Sequence, residues 1–231
     1  MKAYGIHAKM TDLKPLLKPL KGNIRGDESL TDCEWDHTAK LPTITFSIAI
    51  ANAGSGALHI ILGIPRNDGK KIVAPAKQRI FNNEGGYREI EVGDFERHEE
   101  LDHVHWHYPR LASMELLSKD GQVEACSKKE GYCLADSFQY DSSLPKSPHN
   151  AYFDPLNCLH KTEVGLSVGW ADHYEIFTEE QNIEIENVAS GIYQLRLSVN
   201  ETRLFCDISE SASVQVTIDK ENKKAWAEKT K

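Results

Sequence analysis

Three histidines alternate with bulky residues in one short segment, His103-Val104-His105-Trp106-His107. Successive side chains of an extended strand point to opposite faces, so the three imidazoles share one face and Val104 and Trp106 the other. Protonated imidazoles on one face repel each other, whereas neutral imidazoles bind copper or zinc well. The spacing therefore predicts a metal site on a strand, with a surface histidine cluster, or one ligand pair and a stray histidine, as alternatives.

Strand geometry sets a condition on this site. Four residue steps of about 3.3 Å place the outer Cα atoms about 13 Å apart, near the limit that three imidazoles span around one ion. We therefore expect a bend or a bulge in the histidine strand. His98, upstream of the three histidines, is a further candidate as a fourth ligand or as a partner of a ligand.

The elements that must position these residues are short strands between turns. Apolar and polar residues alternate over 41–51 and 193–199, which is typical of half-buried strands. No helical period of any strength is found, and the proline-containing segment 136–157 is expected to be an irregular loop. This pattern predicts an all-β fold, a β-sandwich with long irregular loops in a single domain.

The domain is predicted to span residues 41–218. It follows an N-terminal extension, residues 1–40, and precedes a charged C-terminal tail, residues 219–231, which is expected to be frayed. The chain has 231 residues, which is enough for one large domain.

Composition excludes several function classes. The net charge is −8, from 27 Lys and Arg against 35 Asp and Glu, which argues against a nucleic-acid partner. No apolar stretch reaches the ~18 residues of a membrane span. The N-terminus lacks the apolar block of a secretory signal, so we expect a cytoplasmic protein unless a leader has been removed, in which case it is secreted.

The histidine segment resembles the HxHxH copper strand of the lysyl oxidase catalytic domain, especially its bacterial and archaeal members. Residues 129–137 (KEGYCLADS) are similar to the family's K-x-x-F-C-L-x-D-T segment, and residues 165–174 (GLSVGWADHY) to its G-L/I-S-x-G-x-x-D-x-Y segment. Residues 52–58 (NAGSGAL) are similar to its N-x-G-x-G-P-L turn, with Ala57 in place of proline. The resemblance runs in order from about Leu41 to Asn200.

The resemblance implies a site and an activity. His103, His105 and His107 correspond to ligands of Cu2+, and Lys129 and Tyr174 to the residues that the family cross-links into lysine tyrosylquinone. The implied enzyme is a copper- and quinone-dependent amine oxidase. It converts primary amines, including lysine side chains of protein substrates, to aldehydes with O2, releasing H2O2 and ammonia.

Asp172 is a candidate catalytic base within the same segment. It stands two residues before Tyr174, so the two side chains lie on the same face of an extended strand. A carboxylate beside the quinone would remove the α-proton of the bound amine.

Two alternatives stay open beside the oxidase. One is a non-catalytic copper- or zinc-binding β-sandwich protein, and the other is a catalytically silent adhesion or scaffold module.

The chain also departs from the family, which has a histidine three residues before the triad where this chain has Glu100. Five cysteines leave at least one without an intrachain disulfide partner. Cys133 and Cys158 occupy positions compatible with a bridge across the proline-containing loop.

Overall fold

The computed structural model describes residues 17–19, 33–100, 103–109, 111–129, 131–155, 162–178, 180–200 and 210–228. The strands are β1 Leu17–Pro19, β2 Cys33–Trp35, β3 Thr43–Phe46, β4 Ile48–Asn52, β5 Leu58–Leu62, β6 Arg66–Asn67, β7 Ile72–Phe81, β8 Tyr87–Glu100, β9 His103–Pro109, β10 Ala112–Leu117, β11 Val123–Cys126, β12 Gly131–Tyr132, β13 Phe138–Gln139, β14 Glu163–Leu166, β15 Trp170–Tyr174, β16 Asn182–Glu184, β17 Gly191–Val199, β18 Glu210–Asp219 and β19 Lys224–Ala227. None of these described segments contains a helix with the length and apolar character needed to cross a membrane.

Over the described ranges the strands form four antiparallel sheets. Their orders are β1-β4-β15-β13, β11-β10-β17-β18-β19, β12-β9-β8-β7-β5-β14 with β6 on β7, and β16-β3-β2. One hydrophobic core joins all four, since it contains Ile44 of β3, Ile50 of β4, Phe95 of β8 and Leu116 of β10. The prediction of a single all-β domain is confirmed.

The segment predicted as one strand over 41–51 is two strands in different sheets. Strands β3 and β4 are separated at Ser47, which is buried. Strand β4 is covered on both faces: its isoleucines enter the main core, and Ala49 and Ala51 pack with Phe138 and Ala171. Continuous burial on both sides explains why the apolar pattern does not reveal the change of sheet.

Residues outside 41–218 also contribute strands. Strand β1 pairs with β4, and β2 pairs with β3. The expectation of a frayed tail is wrong for residues 224–227, because β19 pairs with β18 and buries Ala225. Strand β19 was not predicted because it is short and charged residues flank it on both sides. The domain limits at 41 and 218 stay a prediction.

Candidate active site

The histidine segment lies on β9, whose neighbours are β8 and β12. Trp106 and Tyr108 are buried in the core, and the Tyr108 hydroxyl donates a hydrogen bond to the Val92 carbonyl over 2.9 Å. Val104, expected on the same core face, is 36% exposed near the end of the hairpin. The alternation along the strand therefore directs the even-numbered side chains at 106 and 108 inwards.

The bulge expected in the histidine strand lies elsewhere. Strands β8 and β9 pair without interruption from Glu96 opposite His107 to Glu100 opposite His103. The register instead shifts between β7 and β8, next to Gly93, whose φ of 90° lies in the left-handed region that favours glycine.

Three imidazoles come together on the outer face of β8 and β9. The Nε2 atoms of His105 and His107 contact each other directly, and their ring centroids are 4.1 Å apart. The ring centroid of His98, which stands opposite His105 in the pairing of β8 with β9, is 5.7 Å from that of His105 and 5.1 Å from that of His107. His105 is only 8% exposed, whereas His98 and His107 are half-buried.

The structure describes only two of the three predicted ligand side chains, those of His105 and His107. The side chain of His103 lies outside the described part of the structure. Among the side chains that are described, no group of three or more His, Cys, Asp or Glu residues is arranged to hold a metal ion. His105 and His107 are brought together, and His98 joins them from the neighbouring strand.

A glycine brings the lysine segment against the imidazoles. Strand β12 pairs with β9, with Gly131 opposite Pro109 and Tyr132 opposite Tyr108. A Cβ atom on Gly131 would lie 2.3 Å from Nδ1 of His107, so only glycine allows this approach. Gly131 was not predicted as a site residue, although it stands inside the lysine motif.

Lys129 and Tyr174 lie close together in the folded chain. The Lys129 ammonium nitrogen, Nζ, is 5.7 Å from the centroid of the Tyr174 ring and 5.6 Å from that of Tyr132. The two tyrosine rings meet edge to face, with centroids 5.2 Å apart. Lys129 is only 8% exposed, although a lysine is ordinarily solvated. Its amine is thereby confined beside the two aromatic rings.

The Tyr174 hydroxyl has two partners. It donates to Oδ2 of Asp172 over 2.7 Å and contacts the carbonyl oxygen of Cys133. Asp172, 5% exposed, also accepts a hydrogen bond of 3.0 Å from the Ser137 hydroxyl. The two residues lie together on β15, as the spacing predicts.

Burial sets the protonation of this pair. Burial raises the pKa of Asp172 to about 7. The hydrogen bonds from Tyr174 and Ser137 lower this pKa, but by less than burial raises it. Burial, and then the charge of Asp172, raise the pKa of Tyr174 well above its ordinary value. The arrangement is a neutral phenol bonded to a carboxyl group that changes protonation near neutral pH.

A second buried carboxyl group, Asp136, supports the site. It accepts hydrogen bonds from the backbone N–H groups of Tyr152, Phe153 and Ser167 over 2.7–3.1 Å and from the Ser167 hydroxyl over 2.7 Å. Asp136 directly precedes Ser137, so these bonds fix the backbone from which Ser137 reaches Asp172. It belongs to the lysine motif, but its supporting role depends on contacts that are distant in sequence.

A cleft of about 330 Å³ opens beside the imidazoles. Its walls include His98, His107, Gly131, Lys128 and Glu180. It therefore gives small molecules a route to the histidine cluster.

The family model for lysyl oxidase matches residues 85–229, more than half of the chain. The chain belongs to the lysyl oxidase family. The matched region contains every site residue predicted from the sequence, from His103 to Tyr174. A search of curated proteins returned no match to the chain.

The disulfide expected in this lysyl oxidase domain is partly in view. Cys133, whose carbonyl contacts the Tyr174 hydroxyl, is disulfide-bonded. Its partner is neither of the other described cysteines, because Cys33 and Cys126 carry thiols. Cys158 lies outside the described residues, so its pairing with Cys133 stays a prediction.

Proposed function

We propose that this member of the lysyl oxidase family is a copper-dependent amine oxidase. It would convert primary amines, including lysine side chains of proteins, to aldehydes with O2 and release H2O2 and ammonia. Its second cofactor would be a lysine tyrosylquinone made from Lys129 and Tyr174. The main support is the burial of the Lys129 amine at 5.7 Å from the centroid of the Tyr174 ring.

His103, His105 and His107 would hold Cu2+ through neutral imidazoles. The contact between the Nε2 atoms of His105 and His107 supports this, since two nitrogens that close share at most one proton and leave a lone pair directed into the gap. Imidazole is a donor that suits copper. Bound copper supplies the one-electron redox chemistry needed for oxidation of a phenol and for reaction with O2.

Asp172 would move protons at the Tyr174 hydroxyl. Its Oδ2 atom already accepts the phenolic hydrogen bond, so it is placed to take that proton when the ring is oxidised. A pKa of about 7 makes the carboxyl group a proton acceptor and donor near neutral pH. Ser137 holds the other carboxylate oxygen, which keeps Oδ2 directed at the phenol.

Lys129 would supply the amine of the cross-link. Its packing beside the rings of Tyr132 and Tyr174 limits the positions open to Nζ. Confinement of two reacting groups in one space lowers the entropy cost of joining them. Packing of Nζ against the Tyr132 ring thus keeps the amine beside Tyr174.

Titration of the copper-loaded protein with phenylhydrazine tests the proposal, because this reagent forms a coloured adduct with a reactive carbonyl. We expect about one adduct per chain, and peptide mass spectrometry should find the peptides of Lys129 and Tyr174 covalently joined. Tyr174→Phe should lose both signals and retain copper, whereas the control Tyr193→Phe should keep them. Stoichiometric metal without an adduct would instead favour the non-catalytic copper- or zinc-binding protein.

A further inference from the structure

A second cavity, of about 440 Å³, shares no described lining residue with the cleft beside the imidazoles. Its described lining is mainly apolar and contains neither Lys129 nor Tyr174. The volume falls within the range of roughly 300–1,000 Å³ that is usual for small-molecule sites. This second cavity is therefore a candidate binding site separate from the candidate active site.

Four aromatic rings line the second cavity. The Phe153 ring meets the rings of Tyr152 and His59 edge to face, at 4.8 Å and 5.3 Å between centroids, and the Phe81 ring lies 5.8 Å from that of His59. Phe153 is 1% exposed and Tyr152 is 60% exposed, so the rings extend from the core to the surface. A ligand with an aromatic ring would make the same kind of edge-to-face contact with them.

The fold fixes these rings in place. Gly165 lies opposite His59 in the pairing of β14 with β5, and a Cβ atom on it would lie 2.8 Å from Cζ of Phe153. The backbone N–H groups of Tyr152 and Phe153 both donate to Asp136. The aromatic surface is thus formed by contacts within the protein and needs no ligand to assemble it.

Lys146 brings a positive charge to the second cavity. It is exposed and makes no ion pair within the described segments. His59 adds no charge at neutral pH, because burial lowers its pKa, and its Nε2 atom lies 3.3 Å from Oε2 of Glu163. Lys146 is therefore the one charged side chain among the described lining residues.

The turn that carries Lys146 is unusual for a lysine. The Ser147 N–H donates to the Leu144 carbonyl over 3.0 Å, and Lys146, at the third position of the turn, has a φ of 71°. Glycine or asparagine is usual at that position when φ is positive. Residues held in this backbone region cluster at active sites and ligand clamps. The conformation indicates that lysine is present for its side chain and not for the turn.

Contacts with β13 and β15 anchor the same turn. The Gln139 side-chain amide donates to Ser147 Oγ and to the Pro148 carbonyl, each over 2.9 Å. The Trp170 indole N–H donates to the same carbonyl over 2.9 Å. The backbone of Lys146 is therefore held beside the aromatic rings.

We infer that the second cavity binds a small aromatic carboxylic acid, with the ring against Tyr152 and Phe153 and the carboxylate at the Lys146 ammonium group. The aromatic lining offers contacts to a ring, and the single cation complements an anion. An amine substrate of the proposed oxidase would instead meet the like charge of Lys146. The site does not depend on the oxidase activity.

Equilibrium binding to the full-length chain, followed by NMR chemical shifts, tests this assignment. The probes are 3-phenylpropanoate and 3-phenylpropanamide, which have the same number of heavy atoms and differ in charge. We expect the acid to bind more tightly than the amide and to shift the signals of His59, Tyr152 and Phe153. Lys146→Gln should weaken acid binding about two- to fivefold, as is typical of one exposed ion pair, and leave amide binding unchanged.

Lys223→Gln is the matched control, since Lys223 is an exposed lysine that also has a positive φ, of 51°, in the turn between β18 and β19. It should leave both affinities unchanged. Equal affinities of the wild type for acid and amide, equal weakening of acid binding by the two variants, or no shift of the lining residues would overturn the assignment.

Lys146→Gly separates ligand binding from the turn. Glycine adopts a positive φ without steric cost, so this variant should be about as stable as the wild type in urea unfolding, yet bind the acid as weakly as Lys146→Gln. A loss of stability with unchanged acid binding would assign the lysine to the fold and contradict the proposed site.

Discussion

The Tyr174 hydroxyl donates a hydrogen bond of 2.7 Å to Oδ2 of Asp172, two residues back on β15. Alternation along a strand directs both side chains to the same side, where both are packed against neighbouring elements. Burial raises the pKa of both groups, so the phenol stays neutral while the carboxyl group titrates near pH 7. A carboxyl group that titrates near neutral pH and accepts a hydrogen bond from a neutral phenol is suited to phenol oxidation and to later acid–base steps.

Asp172→Asn should slow formation of the quinone, because an amide cannot accept the phenolic proton. We expect a decrease of about 10²–10⁴-fold in the rate at which the phenylhydrazine-reactive carbonyl appears after copper addition. In the wild type that rate should rise with pH through about 7, as the carboxyl group loses its proton. An Asn variant that matures at the normal rate with unchanged pH dependence would exclude Asp172 as the proton acceptor.

The same residue gives a stability prediction with a defined sign. The pKa of Asp172 is raised on folding from 3.8 to about 7, so the folded state holds the proton more tightly than the unfolded state. Its contribution to the free energy of unfolding should therefore be greatest below about pH 4. It should fall by up to about 1.4 kcal/mol per pH unit as pH rises towards 7.

Urea unfolding of the wild type and Asp172→Asn across this range measures the effect. Their difference isolates Asp172 from His59, whose pKa is lowered by burial and whose contribution has the opposite sign. The wild type should lose stability relative to the variant as pH rises, and a constant difference would show that Asp172 does not change its pKa on folding.

Removal of a central imidazole should abolish copper binding. His105→Ala removes the buried ring whose Nε2 contacts that of His107. Mutation of a residue that only hydrogen-bonds to a metal ligand typically lowers metal affinity roughly 10–100-fold, so loss of a ligand itself should lower copper affinity by more than that. His98→Ala should have a smaller effect, of about tenfold, if that ring only packs against the other two. His149→Ala, at an exposed position, is the control. Copper content and affinity are measured on protein that has not turned over.

Local pattern identified the histidine strand but not its surroundings. The histidines of β9 stand out because their period of two matches a strand and their neighbours are apolar. The approach of His98 depends on the register of β8 against β9, which no local pattern specifies. The break at Ser47 was missed for a related reason, since both faces of β4 are covered by distant segments.

The lysine and tyrosine were found only through the resemblance to the family. Lys129 stands beside Lys128 in the chain, and such a pair ordinarily indicates a solvated surface. Its burial depends on long-range contacts, since β12, which follows it in the chain, pairs with β9, and Tyr174 lies on the distant strand β15. Gly131 was missed because its importance lies in the absence of a side chain next to His107.

Gly131→Ala should therefore disturb the imidazoles more than the fold. The added Cβ would lie 2.3 Å from Nδ1 of His107, so the ring must move. We expect copper affinity to fall about tenfold, as for other changes that misorient a ligand, and stability to fall by about 1–3 kcal/mol. Gly191→Ala is the control, because the nearest atom to its Cβ would be 3.4 Å away. Equal copper affinities of the two variants would mean that His107 moves aside without consequence for the metal.

Asp136→Ala should destabilise the fold and the backbone that positions Ser137 beside Asp172. It removes the acceptor for three backbone N–H groups and one hydroxyl, all of them in buried or partly buried positions. Since hydrogen bonds to a charged group contribute about 1.5–3 kcal/mol each, we expect a loss of at least about 3 kcal/mol in urea unfolding. Asp120→Ala, in an exposed turn, should change stability by less than about 0.5 kcal/mol.

Because the bonds lost in Asp136→Ala fix the backbone of Ser137, this variant should also form the quinone more slowly at temperatures where it remains folded. Normal maturation in a destabilised Asp136→Ala protein would show that Ser137 and Asp172 keep their positions without this carboxylate.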